Sequence, residues 1–244
     1  MAPKKPENGF AKRRIAPGNR SAFPEIAAES LRDKVVASLK DAFFSGHLKP
    51  GDAIVERHLA QQMKVGSPAV REALITLQEQ GFVHRVANTA TYVNSFTVDE
   101  VRHLYQLRIE FELLAFKWAK LRVKEADLQL LEGLVDAMVS AAIQGDRRTF
   151  FEHDLEFHRY CWRLSGNKFL ERSLENLVPP LFAFVLNASD YYTIQESVAK
   201  QHLQIISALK SVFEPEFSAI IRDALGTFAL EGVSSIVEAH QHRS

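Results

Sequence analysis

The sequence predicts a mainly α-helical chain in two parts, a small helical module closed by a β-hairpin and then an antiparallel all-α bundle. Three observations predict it. Two short amphipathic runs, 56–64 and 67–80, are separated only by a short polar turn. An alternating stretch, FVHRVANTATYVNSF, follows them. From Thr97 onward, apolar residues recur at helical spacing between Gly, Asn and Pro breaks.

The chain has 244 residues, 46% hydrophobic and 25% charged, which is ordinary for a globular protein with a sizeable core. Its single cysteine, Cys161, excludes an internal disulfide framework and fits a reducing cytoplasm. The most apolar segment, Leu181–Asn187, is too short to span a bilayer, and the first residues lack the apolar core of a secretory leader. We therefore expect a cytoplasmic protein with no membrane partner. The formal net charge is zero, but it is unevenly placed. Residues 1–24 hold six basic residues against Glu7 alone, 25–96 are balanced, and the remainder is net acidic by five. A basic arm of this kind suits a polyanion, or serves only as a solubilising tail.

Residues 1–24 are rich in Pro, Gly, Asn and Lys/Arg without periodicity, and are expected to be disordered. A helix is expected over 25–45, with Ile26, Leu31, Val35, Leu39 and Phe43 on its inner stripe and Gly46 closing it. The segment His47–Ile54 reads as a Pro-Gly turn, and 56–64 as a short helix with Leu59 and Met63 inward. In the next helix Ser67 is the expected N-cap and Pro68 the first helical residue. Val70, Leu74 and Leu77 point inward, Arg71 and Gln78 outward, and Gly81 ends it. The hairpin turns at Ala87-Asn88-Thr89.

Thr97 and Glu100 form a capping box for the first bundle helix. Helices are expected near 98–121, 124–143, 147–164, 168–187, 190–211 and 215–240, with Pro179-Pro180 breaking or kinking the fourth. The division is thus a basic arm at 1–24, a winged helix-turn-helix at 25–96 and a helical domain at 97–244. In a winged helix-turn-helix the second helix enters the major groove with its N-terminal residues at the base edges.

The run from Ser45 to Val83 resembles the N-terminal domain of GntR-family transcriptional regulators. It carries Gly46-x-x-x-Pro50-Gly51, Leu59-Ala60, Pro68-x-Val70-Arg71-Glu72-Ala73-Leu74 and a closing Gly81. The resemblance implies DNA contacts from Arg57, Ser67, Pro68 and Arg71, and from the wing at Asn88 and Thr89. Arg71 would read guanine, since a guanidinium makes two hydrogen bonds to O6 and N7. Members usually carry an Arg before the recognition helix, where this chain has Gly66-Ser67, and a Gly at the wing tip, where it has Asn88-Thr89-Ala90. An altered or weaker operator code follows.

The second part resembles the FCD effector domain, placing the chain in the FadR/FCD subfamily. The matching residues are Leu104–Arg108 with Glu112, Asp154–Arg159, Ser165-Gly166-Asn167 and Gln201-His202. The likeness implies an effector pocket using Arg108, Tyr105 and Asn167, with a small carboxylate as ligand and homodimerisation. Asp154 and His158 share one helix face at i, i+4. With His202 they form a set suited to one divalent ion such as Zn²⁺, Ni²⁺ or Mn²⁺. Metal-binding FCD domains add a third His 22 positions beyond the second, where this chain has Ala224. A three-residue site completed by water or effector, and a metal-free polar pocket, both remain open. Arg108 can face an anionic ligand, or pair internally with Glu112 or Glu110. The expected function is a ligand-responsive regulator, a repressor in sign, binding a pseudo-palindromic operator as a dimer. A metalloenzyme built on Asp154, His158 and His202, and an architectural DNA-binding dimer without effector, are the rivals.

Overall fold

The computed structural model describes residues 30–86, 90–188, 196–211 and 213–226. The basic arm at 1–24 lies outside them, as do Ile26 and the wing tip with Asn88 and Thr89.

Helix α1 (Leu31–Phe44) buries Val35, Leu39 and Phe43, four residues apart on one stripe. Leu31 was expected on that stripe but is 49% exposed, because it opens the helix ahead of the first turn that packs. The Lys49–Asp52 turn closes through Lys49 N–H donating to Asp52 Oδ2 at 2.8 Å, with Gly51 at φ +86. It delivers an element that the sequence reading did not anticipate, the two-residue strand β1 (Ala53–Ile54).

Helix α2 (Glu56–Met63) ends on Lys64, and α3 runs from Ser67 to Glu79. Three residues, Lys64, Val65 and Gly66, join them. Val70, Ala73, Leu74 and Leu77 are buried as the spacing demands. The cap is shifted by one residue: Gly66 takes the N-cap position and makes no side-chain capping bond. Ser67 and Pro68 are therefore the first two helical residues, where Pro's missing N–H still costs nothing. Strands β2 (Val83–Val86) and β3 (Ala90–Val93) pair antiparallel with Arg85 opposite Thr91, and the sheet order is β1-β3-β2. Val86, read as part of the apolar pattern, is 43% exposed, because only Val83 of β2 faces the core.

Helices α4 (Val98–Lys120), α5 (Glu125–Gln144), α6 (Arg147–Leu164), α7 (Lys168–Ala188) and α8 (Glu196–Ser211) build the second part, and residues 216–226 are helical. The Thr97/Glu100 capping box forms on α4. Residues 189–195 and 227–244, parts of two expected helices, lie outside the described residues. α5 packs on α6 and α8, while α4 packs on α6 and α7. Of the phenylalanines at helical spacing, Phe116, Phe150, Phe151, Phe157, Phe182 and Phe184 are core, and Phe111 is partly buried against it.

Pro179 and Pro180 do not end α7, which continues through them. Two prolines remove two N–H donors and so free carbonyls one turn earlier. One of these, Asn176 O, faces Gly81 at the end of α3, where an added Cβ would lie 3.1 Å from it and 3.4 Å from Pro180 Cγ. The double proline thus sits where α7 meets the first part of the chain. No helix among the described residues is long and apolar enough to cross a membrane.

Candidate functional site

Two regions carry chemistry. The first is the outer surface of α2, α3 and β2, where Arg57, Ser67, Pro68 and Arg71 are all exposed. Arg71 is held, since its Nε donates to Glu56 Oε2 at 3.1 Å. Arg85 Nη2 donates to the other oxygen of the same carboxylate at 2.7 Å. Neither Glu56 nor Arg85 was singled out from sequence. The only available signal was Arg85 as a lone cation on the hairpin, and nothing in the one-dimensional pattern links it to residue 56.

The second region is a fully buried polar cluster in the bundle. Arg108, Glu112, Asp154, His158 and His202 are each at most 2% exposed. α4 supplies Arg108 and Glu112, α6 supplies Asp154 and His158, and α8 supplies His202. Donor atoms of Asp154, His158 and His202 all lie within 4.8 Å of one another. His158 Nε2 is 3.3 Å, and His202 Nε2 2.9 Å, from the single oxygen Asp154 Oδ1.

The other ring nitrogens are committed elsewhere. His158 Nδ1 lies 3.0 Å from Glu112 Oε1, and His202 Nδ1 lies 3.1 Å from Ala199 O. Both of these partners can only accept, which favours a proton on each Nδ1, while the two Nε2 atoms converge on Asp154 Oδ1. Carboxylate and carbonyl partners behind a histidine are the usual supports of a metal ligand. Arg108 Nη2 approaches His158 Nε2 to 3.0 Å, and its Nε lies 3.4 Å from Glu112 Oε2. Glu112 rather than Glu110 is thus the internal partner of Arg108, while Glu110 pairs with Arg222.

Electrostatics follow from this packing. Burial alone would raise the Glu112 carboxyl pKa, but the charges of Arg108 and His158 outweigh it and hold it low. Asp154 is likewise pushed up by burial and pulled far below the usual carboxylate range by bonds from His158 and His202. His158 is raised, because Glu112 and the bond to Asp154 overcome its desolvation. With Arg108 charged and both carboxylates ionised, a proton on one imidazole brings the cluster to neutrality, and the raised His158 is the group placed to hold it. A low-dielectric interior makes any excess charge costly.

Tyr105 is buried, with the Arg108 guanidinium 5.9 Å from its ring. Asn167 is not brought to the cluster. Its Oδ1 accepts from Phe169 and Leu170 N–H at the start of α7, and it borders a surface groove with Trp118 and Arg122. Ala224, at the missing histidine's position, is buried. Cys161 is also buried, and its thiol pKa is pushed well up, leaving it inert packing.

One helix touches both regions' supports. On α7, Phe182 has the Arg108 guanidinium 4.7 Å from its ring, and the His158 ring 6.4 Å away. Ala183 packs in the core of the first part of the chain with Leu39, Phe43 and Phe82. Asn187 Nδ2 donates to Phe43 O at 2.6 Å and to Ala183 O at 2.7 Å.

Comparison with known proteins finds a family for each part of the chain. Residues 31–93 match the model of bacterial regulatory proteins of the gntR family, and residues 103–225 match the FCD domain. The uncharacterized HTH-type transcriptional regulator YdhC of Bacillus subtilis (strain 168) is 27% identical over 174 residues, 70% of this chain and 77% of that protein. The HTH-type transcriptional repressor RspR of Escherichia coli (strain K12) is 26% identical over 163 residues, 67% of this chain and 72% of that one. The solved structure of E. coli McbR/YncC superposes with a TM-score of 0.69 at 22% identity, covering 89% of this chain and all of that one. A GntR regulator from Rhodococcus sp. RHA1 gives 0.68 at 20% identity over 86% and 99%. At such identities the structural likeness speaks for the fold alone.

Proposed function

Because this chain belongs to the GntR family of bacterial regulatory proteins and carries an FCD domain, we propose that it is a dimeric, ligand-responsive transcriptional regulator whose effector site is the buried Arg108–His202 cluster. It is a DNA-binding regulator and not an enzyme, as its family and relatives are, so the metalloenzyme alternative falls. Arg57, Ser67, Pro68 and Arg71, exposed at the start of the reading helices, serve as its DNA contacts. Each subunit presents α3 to one half of a pseudo-palindromic operator, with half-sites about 34 Å apart. Repression is the expected sign.

One divalent metal ion, Zn²⁺, Ni²⁺ or Mn²⁺, is held by Asp154, His158 and His202, and it supplies an open position for a carboxylate. The observation that carries this reading is the pair of Nε2 atoms turned on one carboxylate oxygen, with both Nδ1 atoms committed behind them. Charge agrees. A dication would displace the imidazole proton and leave Arg108, Glu112, Asp154 and the ion with one excess positive charge, which a single effector carboxylate balances. Three protein donors, with Ala224 in place of a fourth, leave room for that carboxylate. Arg108 and Tyr105 form the adjoining wall.

A homodimer is supported by α4. Leu104, Leu107, Phe111, Leu114, Trp118 and Leu121 recur at alternating steps of three and four, the spacing of a helix–helix seam. Leu107, Leu114 and Leu121 are 43%, 39% and 79% exposed, so the outer edge of this stripe is open to a second copy.

Metal content tests the effector site. The full chain, stripped and reloaded with Zn²⁺, Ni²⁺ or Mn²⁺, should retain about one ion per subunit and should then gain thermal stability with small carboxylates such as citrate. A chain that retains no ion, yet is still stabilised by carboxylates, would overturn the metal and leave a metal-free anion site at Arg108.

A further inference from the structure

Glu56 opens α2 with its carboxylate between two arginines from separate parts of the reading module. Oε2 lies 3.1 Å from Arg71 Nε on α3, and Oε1 lies 2.7 Å from Arg85 Nη2 on β2. The carboxylate is the sheltered partner, 21% exposed, whereas the two guanidinium side chains are 59% and 47% exposed. A negative charge here opposes binding to a polyanion, since affinity for DNA grows with the phosphates that Lys and Arg neutralise. A gain elsewhere must offset that loss.

The gain is in orientation. Arg71 is engaged through Nε alone, which leaves Nη1 and Nη2 together at the exposed end. That pair is the fork that meets guanine O6 and N7 side by side. An arginine side chain carries about 2 kcal/mol of rotamer entropy, and fixing it before association lowers the cost of ordering it on the DNA. Arg85 is rooted in the β2–β3 ladder opposite Thr91, and its bond to Glu56 leaves Nε and Nη1 outward.

We propose that Glu56 is a positioning residue for sequence reading: it presets Arg71 for a guanine, while Arg85, held on the same face by its own strand, serves as a phosphate-binding arginine. Arg85 thereby supplies a second cation beside α3, where the Gly66-Ser67 junction lacks one. The inference rests on Arg71 being the base-reading side chain, so its test separates the two.

Full-length protein is used to select duplexes from a random-core pool. Binding is then measured on the selected duplex and on a scrambled duplex of the same composition, at two salt concentrations. Glu56→Gln keeps the side-chain shape and removes the charge. It should weaken the selected duplex about tenfold, or 1.4 kcal/mol, while the scrambled duplex binds equally well or better. Loss of fold would weaken both, so a parallel fall on both duplexes overturns the proposal, as does no change on either. Arg85→Ala should weaken both duplexes alike and lower the salt slope by about one. In an Arg71→Lys background, where the planar fork is gone, Glu56→Gln should cost nothing further on the selected duplex, and an undiminished cost would count against it. If Arg71→Ala leaves the selected duplex bound as before, the reading of Arg71 itself fails, whatever Glu56 does.

Discussion

Phe182 and Ala183 are consecutive residues of α7, yet they belong to different cores. The Phe182 ring lies under the Arg108 guanidinium beside the buried His158, whereas Ala183 packs among Leu39, Phe43 and Phe82 of the reading module. Adjacent residues on a helix are covalently joined, so any shift of Phe182 would be delivered to Ala183. Asn187, one turn later, anchors the same helix to Phe43 O. In the proposed function, α7 is thus the two-sided element through which a ligand in the cluster would bias DNA binding.

Loading with Zn²⁺ and citrate should therefore change affinity for the selected duplex by roughly 5- to 150-fold, the usual range of such coupling. Phe182→Leu should retain metal while reducing that change. Metal stoichiometry and duplex titration on the same preparation would check it, and an unchanged response would remove Phe182 from the path.

Gly81 meets α7 at the gap left by Pro179 and Pro180. Its φ is +77, and a Cβ there would lie 3.1 Å from Asn176 O. Gly145 has a comparable φ of +70, with nothing within 4 Å of such a Cβ. Gly145→Ala should cost about 1 kcal/mol, from left-handed backbone alone. Gly81→Ala should cost about 1 kcal/mol more, because backbone rather than a mobile side chain must shift. Urea unfolding of the two variants would measure the difference.

Glu112 balances Arg108 and supports His158, and it accepts from Trp162 Nε1 at 3.1 Å. Glu112→Ala should destabilise by about 3–5 kcal/mol, because it leaves a buried guanidinium without its anion. A denaturation midpoint close to that of the parent chain would mean that Arg108 finds another partner.

His202→Ala removes one of three candidate ligands and should abolish retention of Zn²⁺ after gel filtration, with stability reduced by loss of packing against Phe157, whose ring centroid lies 4.7 Å away. Retained ion, measured by elemental analysis, would place the metal elsewhere.

Leu107→Asp combined with Leu114→Asp puts charge on the exposed edge of the α4 stripe. Sedimentation should show a monomer with an unchanged circular dichroism spectrum, and duplex affinity should fall because two half-sites are no longer bound together. A dimer that survives both substitutions would move the interface off α4.

Local pattern carried much of this molecule. The i, i+4 stripes of α1 and α3, the Thr97 capping box and the glycines that end helices are all short-range features, and short-range sterics and hydrogen bonding decide them. Strand β1 was not legible, because two residues have no period and pair only through β3. The passage of α7 through Pro179-Pro180 was not legible either, since it depends on the packing of Gly81 and Ala183 against that helix. The FCD resemblance implied Asn167 as a pocket residue, whereas its side-chain oxygen caps the start of α7, a choice made by the N–H groups two and three residues on.

The sequence by itself determined the helical periods, the turn positions, the family, and the spacing that puts Asp154 and His158 on one face of α6, because each depends on residues a few positions apart. Only the tertiary structure decided that His202 joins them, that Arg108 spends its charge on Glu112, and that Glu56 grips both Arg71 and Arg85. Those choices join residues from 4 to more than 40 positions apart. Burial and competition among partners settle them, and neither is written in local order.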